Sequence, residues 1–144
     1  MAGIAGDRNA WCFDEGAAAI GTSKKSKIYD FGEVLTRKSE KIVGADKRLL
    51  LAEKYFRVRT QDDVTGGNLT VSVSTANTLS GDTLGSDAKV IFTSRAFTAA
   101  EMKGGTQLID TIIDHGAKRY LQVTFTGSAA LSGKIFAEVS SIAQ

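Results

Sequence analysis

Apolar and polar residues alternate along two segments of the chain. The first is Asn68–Ala76, which reads NLTVSVSTA, and the second is Tyr120–Thr126, which reads YLQVTFT. In both, leucine, valine or phenylalanine occupies every second position and polar residues lie between them. A strand with a period of two buries one face and exposes the other. The pattern therefore predicts two strands of an antiparallel sheet that has one solvated face.

Weaker strand patterns extend this prediction over the rest of the chain. They cover Ser26–Phe31, Leu49–Thr60, Ala88–Thr93, Thr106–Ile113 and Lys134–Val139. A short strand around Trp11–Phe13, with a further one at Ala18–Thr22, brings the total to about eight. Polar, glycine-containing turns separate these segments, including one that begins at Gly127.

Helix signals are weak by comparison. Thr98–Met102 has the pattern of a helical turn, with Thr98 as N-cap and Glu101 at the third helical position. The polar stretch Glu33–Asp46 is either a long loop or a short helix. Many short strands without intervening long helices predict an all-β fold, a sandwich or barrel, and argue against a Rossmann-like α/β fold.

Length and composition fit one domain that spans residues 1–144, of which 42% are hydrophobic and 24% charged. Residues 1–9 precede the first predicted strand and form either a flexible arm that orders on a partner or a frayed terminus. No secretory signal and no apolar run of about 18 residues is visible, so no membrane association is expected. A lone cysteine, Cys12, allows no intramolecular disulfide, which suits synthesis in a reducing cytoplasm.

Positive charge is concentrated in one segment, although the net charge is only +2. Eight basic residues lie between positions 24 and 48, namely Lys24, Lys25, Lys27, Arg37, Lys38, Lys41, Lys47 and Arg48. Four acidic residues offset them. The segment is either a solvated loop or a docking surface for an acidic protein. The small net charge gives no reason to expect direct nucleic-acid binding.

The residues that usually carry catalysis or bind metal are scarce. The single histidine, His115, lies in a predicted turn, and a hydrolase would need it to pair with Asp110 or another acid and with a nucleophile. No serine lies in a Gly-x-Ser-x-Gly motif, and nothing near Cys12 supports a nucleophilic role. One histidine and one cysteine cannot complete a zinc site. We therefore expect no catalytic residue, no metal and no cofactor, and a protein that is not an enzyme.

Three pairs of acidic residues leave further alternatives open. Asp62–Asp63 and the acids at Asp82 and Asp87 offer oxygen ligands for calcium, but they lack EF-hand spacing. Adjacent carboxylates such as Asp14 and Glu15 could serve glycoside hydrolysis, a site that usually also has exposed aromatic residues. The candidate aromatic residues for such a site are Trp11, Tyr29, Tyr55 and Tyr120.

Motifs in a fixed order give the sequence a family resemblance. They are Ser94–Phe97, Gly104–Asp110, Gly116–Val123 and Gly133–Ala137, preceded by looser matches at Ile28–Gly32 and Leu69–Thr75. This order resembles the capsid cement, or decoration, proteins of short-tailed bacteriophages. The resemblance covers most of residues 10–140.

The resemblance implies a jelly-roll β-sandwich of two antiparallel sheets without cofactor or catalysis. It implies a structural virion protein that binds the outer capsid surface and clamps neighbouring major capsid proteins. It also implies self-association, as a homodimer, after synthesis in the host bacterial cytoplasm. Within this framework, the basic residues Lys38, Lys41, Lys47 and Arg48 and the N-terminal arm are the predicted partner contacts.

An alternative function is a carbohydrate-binding jelly-roll module for host recognition. Aromatic residues clustered on one exposed sheet face would favour this alternative.

Overall fold

Nine antiparallel strands make up most of the computed structural model, which describes residues 11–30, 54–113 and 118–140. The strands are β1 (Ala17–Lys25), β2 (Tyr29–Asp30), β3 (Lys54–Thr60), β4 (Leu69–Ala76), β5 (Leu79–Ser80), β6 (Thr83–Leu84), β7 (Lys89–Thr93), β8 (Gln107–Ile113) and β9 (Tyr120–Ser140). Within those ranges the only helical element is a 3-10 turn at Ala99–Glu101. The prediction of an all-β fold is confirmed.

Strand β9 is the central strand of the sheet, because four other strands pair with it along its 21 residues. Its first half pairs with β4, and its second half pairs with β3. The resulting seven-stranded sheet has the order β7-β4-β9-β3-β8, while β1 and β2 also pair with β9. Strands β5 and β6 form a separate two-stranded hairpin.

The seven-stranded sheet folds over on itself. The pairing of β1 with β9 is interrupted on either side of Gly21, opposite the segment of β9 that contains Gly127. Strands that bend in this way can pass from one layer of a sandwich to the other. The rings of Phe56 on β3 and Phe92 on β7 lie 6.2 Å apart, although two other strands separate β3 from β7 in the sheet order.

The core lies between these two layers. Alternate residues of the central strands are fully buried, as the period of two predicts; they include Phe56, Val58, Leu69, Val71, Val73, Leu121, Val123, Phe125 and Ile135. The rings of Phe13 and Phe125 pack 5.2 Å apart, which joins the N-terminal segment to this core. The two-layered antiparallel arrangement is compatible with a jelly roll.

Several predicted elements are confirmed with small changes in their ends. Strands β4, β7 and β8 match the predicted segments to within one residue, and the helical turn forms at Ala99–Glu101. There the carboxylate of Glu101 accepts a hydrogen bond from the backbone N–H of Thr98 at 3.0 Å. The predicted strand Leu49–Thr60 is described only from Lys54 onward.

The predicted turn at Gly127 is wrong. The chain continues through it as one bent strand, so the predicted segments Tyr120–Thr126 and Lys134–Val139 both belong to β9. A side chain at Gly127 would collide with the carbonyl oxygen of Ala129 and the side chain of Leu131 in β9 itself, and it would lie 3.0 Å from the carbonyl oxygen of Gly21 in β1. The glycine thus permits both the bend of β9 and the close approach of β1, a role that the sequence does not distinguish from a turn.

The N-terminal strand predictions need correction as well. The predicted strand at Ala18–Thr22 extends to Ala17–Lys25, and the strand predicted at Ser26–Phe31 begins only at Tyr29. Its predicted last residue, Phe31, lies outside the described residues. Ser26 nevertheless stays in register, since its hydroxyl accepts a hydrogen bond from the N–H of Val123 at 2.9 Å. Trp11 forms an isolated bridge with Glu138 rather than a strand. No helix in the described part of the chain is long and apolar enough to cross a bilayer.

Candidate functional site

The outer face of the β8-β3-β9 layer carries a group of polar and aromatic side chains. On β3, Phe56 and Val58 point into the core, so the alternating residues Tyr55, Arg57 and Arg59 lie on the other face. Each of these residues is paired with residues of β8 and β9 in the ladder. The sheet thereby brings charged side chains from three strands together.

Arg57 is the central cation of this face. Its Nε lies 3.3 Å from Oδ1 of Asp110 on β8, and its Nη1 lies 3.7 Å from Oε1 of Glu138 on β9. Glu138 is largely buried, and this burial raises the pKa of its carboxyl, while the positive charges of Arg57 and Arg59 act in the opposite direction. The Nη1 atom of Arg57 is buried and forms no hydrogen bond.

Arg59 stacks on an aromatic ring at the neighbouring position. Its guanidinium carbon lies 5.1 Å from the ring centroid of Phe136, and Trp11 meets the same ring edge-on at 5.4 Å. A bulge in the β3-β8 pairing places Gln107 opposite Arg59. Bulges of this kind redirect side chains and recur beside binding sites.

These side chains surround a cleft of about 270 Å³, which we call the sheet-face cleft. Its lining residues are Arg57, Arg59, Gln107, Phe136 and Glu138. Guanidinium groups donate hydrogen bonds, carboxylates accept them, and the Gln107 amide does both. The cleft therefore offers donors and acceptors beside an aromatic ring.

A second cleft lies at the end of β1, and we call it the lysine cleft. Its volume is also about 270 Å³, and its lining residues are Cys12, Phe13, Asp14, Glu15, Lys24, Lys25, Ser26 and Lys27. The Nζ of Lys24 lies 5.4 Å from the ring centroid of Phe13, and the Nζ of Lys27 lies 5.3 Å from that of Tyr29. Three residues of the predicted basic segment thus gather at one end of the sheet.

The predicted partner contacts Lys38, Lys41, Lys47 and Arg48 lie outside the described residues, as do His115 and residues 1–9. These predictions therefore remain predictions. Asp110, the acid that a His115 hydrolase would use, is ion-paired with Arg57 on an exposed strand face.

The other chemical candidates have structural roles. The Cys12 thiol is buried and accepts a hydrogen bond from the Tyr29 hydroxyl at 3.5 Å, and burial raises its pKa to about 12. The carboxylates of Asp62, Asp63 and Asp87 accept hydrogen bonds from the backbone N–H groups of Lys134 in β9 and of the loop residues Gly104 and Asn77, respectively. Across residues 11–30, 54–113 and 118–140, no group of three or more potential metal ligands occurs.

Sequence reasoning did not select the sheet-face cleft. Of the four aromatic candidates, Tyr29 is buried, while Trp11 and Tyr55 lie half-buried on or beside this face. Phe136 and Glu138 were not singled out. A usable signal was present, since Glu138 is the one charged residue in the apolar run Ile135–Val139, and buried charged residues usually have partners.

Comparisons with known proteins leave the family open. No protein-family model matches the chain, and no curated protein matches it significantly. The function is therefore argued from the geometry and chemistry of these surfaces.

Proposed function

We propose that the protein is a structural component of a tailed-bacteriophage particle and that it stabilises the shell by binding the outer capsid surface. Its partners are the major capsid protein and a second copy of itself, and it performs no catalysis. The observation that carries the proposal is the lysine cleft, where Lys24, Lys25 and Lys27 lie together at the end of β1. Such a surface suits an acidic protein partner.

Lys24 and Lys25 form no ion pair with other described residues. The nearest acid of the segment, Asp30, accepts hydrogen bonds from the guanidinium of Arg119 at 2.9 and 3.1 Å. Asp14 and Glu15 line the cleft, so its three lysines leave an excess of one positive charge. In the sequence, five further basic residues follow up to position 48, with four acidic residues among them.

The sheet edges offer a second type of contact. Strands β7 and β8 are the ends of the sheet order, and each exposes a large apolar side chain. Val90 on β7 is 54% exposed and Ile112 on β8 is 48% exposed. Edge strands with exposed apolar residues are common places for protein–protein contact. Many modest contacts of this kind, repeated over a symmetric shell, add up through multivalency.

The experiment is co-sedimentation of the purified protein with phage capsids from which it has been stripped. We expect saturable binding at a fixed ratio to the capsid subunits. Raising the salt concentration from about 0.05 M to about 0.5 M should weaken it, because exposed charges are screened. The variant Lys24→Glu/Lys25→Glu should weaken binding about tenfold, because it replaces attraction with repulsion at the interface.

The matched control is Lys103→Glu/Lys134→Glu, which makes the same change in charge at two exposed lysines outside the lysine cleft. This control should bind as the wild type does. Equal weakening by both variants would indicate a general charge effect and would count against the lysine cleft. Absence of binding at any salt concentration would refute the capsid-binding proposal for the capsid tested.

Carbohydrate binding is the second candidate function, and one observation favours it. Trp11, Tyr55 and Phe136 are half-buried and lie together with Arg57 and Arg59 on one sheet face. Clustered aromatic and planar polar side chains are suited to saccharides, whose rings have apolar faces and hydroxyl edges. A screen of immobilised glycans with the intact protein tests this function.

A further inference from the structure

We propose that the sheet-face cleft binds a neutral saccharide, and that it takes one sugar ring or the end of a chain. This inference rests on the second candidate function and assigns it a site, a ligand class and a set of contact residues. The contact residues are Arg59, Gln107 and Glu138, with Phe136 as the apolar surface.

The balance of charge selects a neutral ligand. The face contains two guanidinium groups, Arg57 and Arg59, and two carboxylates, Asp110 and Glu138. Because Arg57 lies between both carboxylates, its charge is already compensated. An anionic ligand would face the Glu138 carboxylate, and a cationic ligand would face Arg59. A neutral ligand avoids repulsion both from the Glu138 carboxylate and from the Arg59 guanidinium.

The hydrogen-bonding groups match hydroxyls. Each hydroxyl group both donates and accepts, so it is best bound where donors and acceptors lie side by side. Arg59 is exposed and forms no ion pair in the described part of the chain, so its donors are available beside the Gln107 amide. The Glu138 carboxylate, which lines the cleft, is the acceptor.

The size and apolar surface of the cleft limit the ligand further. Pockets for drug-sized ligands have volumes of roughly 300–1,000 Å³. At about 270 Å³, the sheet-face cleft lies just below this range, which suits one ring. Phe136 is half-buried between Arg59 and Trp11, and its exposed part provides an apolar contact for the C–H face of a sugar.

The single tryptophan gives the measurement a local reporter, since Trp11 contacts the ring of Phe136. We would titrate the full-length protein with glucose, galactose, mannose, rhamnose and N-acetylglucosamine while following tryptophan emission. Saturation-transfer NMR on the same samples would detect binding that does not alter the emission. Titration to about 50 mM covers a dissociation constant of about 1 mM and a tenfold rise of that constant in the variants.

Two cleft variants and one matched control locate the site. Arg59→Met and Gln107→Leu each remove hydrogen-bond donors from an exposed side chain. Arg95→Met is the control, because Arg95 is also exposed and stacks on a phenylalanine, Phe97, at 4.6 Å, outside the cleft. We expect at least one neutral sugar to bind and its dissociation constant to rise about tenfold in the cleft variants, with no change in the control.

The other outcomes overturn different parts of the inference. If both cleft variants bind the sugar as tightly as the wild type does, the sheet-face cleft is not the binding site, and the protein binds carbohydrate elsewhere. Absence of binding by both methods, with a negative glycan screen, would refute the site and the second candidate function together. Glucuronate binding more than about tenfold tighter than glucose would refute the neutral ligand class. Melting temperatures of the variants would show that each is folded.

Discussion

Cys12 shows at the scale of one residue how burial controls reactivity. A thiol reacts as its thiolate. Burial raises the pKa of this thiol to about 12, and Cys12 is only 1% exposed. We expect the native protein to react very slowly with a disulfide reagent at neutral pH and to react fully once it is unfolded in denaturant.

Because Cys12 is the only cysteine, the colorimetric yield of this reaction reports on one site. Rapid stoichiometric labelling without denaturant would contradict the buried position of the thiol.

Arg57 and Glu138 illustrate the cost of a buried charge that loses its partner. Replacing Arg57 by methionine leaves the largely buried carboxylate without its nearest cation. We expect Arg57→Met to lower the free energy of unfolding by about 2 kcal/mol, because removing one member of a buried pair is more damaging than removing both. The double variant Arg57→Met/Glu138→Met should regain most of this loss. Urea denaturation at neutral pH measures both differences, and a double variant less stable than the single one would contradict this account.

The same carboxyl makes stability depend on pH. In the folded protein the pKa of Glu138 lies above its ordinary value of 4.5. A raised folded pKa means that the folded state binds the proton more tightly, so the stability from this group is present below the ordinary pKa and is lost as pH rises through the folded one. We expect Glu138→Gln to reduce the loss of stability over this pH range in denaturation curves. If the unfolding free energy of the variant depends on pH as that of the wild type does, groups other than Glu138 cause the loss of stability.

At the scale of the strand, two glycines with positive φ allow a matched comparison. Gly133 on β9 has φ of 99°, and Gly21 on β1 has φ of 64°. An added methyl group at Gly133 would collide with the carbonyl oxygen of Asp63, whereas at Gly21 it would meet nothing within 4 Å. Both changes strain the backbone, but only one creates a clash.

We therefore expect Gly21→Ala to cost about 1 kcal/mol and Gly133→Ala about 3 kcal/mol of unfolding free energy. Chemical denaturation of the two variants gives the comparison. Equal losses would mean that backbone conformation alone, and not the approach of the Asp63 loop, requires glycine at position 133.

At the scale of the whole molecule, β9 couples the two layers. Its first half belongs to one layer and its second half to the other, so separating the layers breaks pairing along a continuous strand. We expect a single cooperative transition on unfolding, as is usual for domains of this size. Emission from Trp11, which lies against the β3-β9 layer, should change together with far-ultraviolet circular dichroism. Two separated midpoints would show that one layer unfolds independently.

Local patterns predicted the strands well where one face is buried and the other is not. Leu69, Val71 and Val73 alternate with polar residues, and all three are fully buried in β4. Prediction was poorer at Gly127, because a glycine that permits two strands to approach each other has the same local sequence signal as a glycine in a turn. The nearest obstacles to a side chain at Gly127 are Ala129 and Leu131, which the bend of β9 brings against it, and Gly21 of β1, more than one hundred residues away in the chain, approaches it as well.

The sequence by itself determined the antiparallel all-β class, the apolar face of the central strands and the short capped turn at Ala99–Glu101. Those features depend on residues close together in the chain, whose side-chain directions follow from backbone geometry. Only the tertiary structure decided that β9 runs through both layers and that Arg57, Gln107 and Glu138 line one cleft. These residues belong to three different strands, and their proximity depends on sheet order and register, which long-range pairing sets.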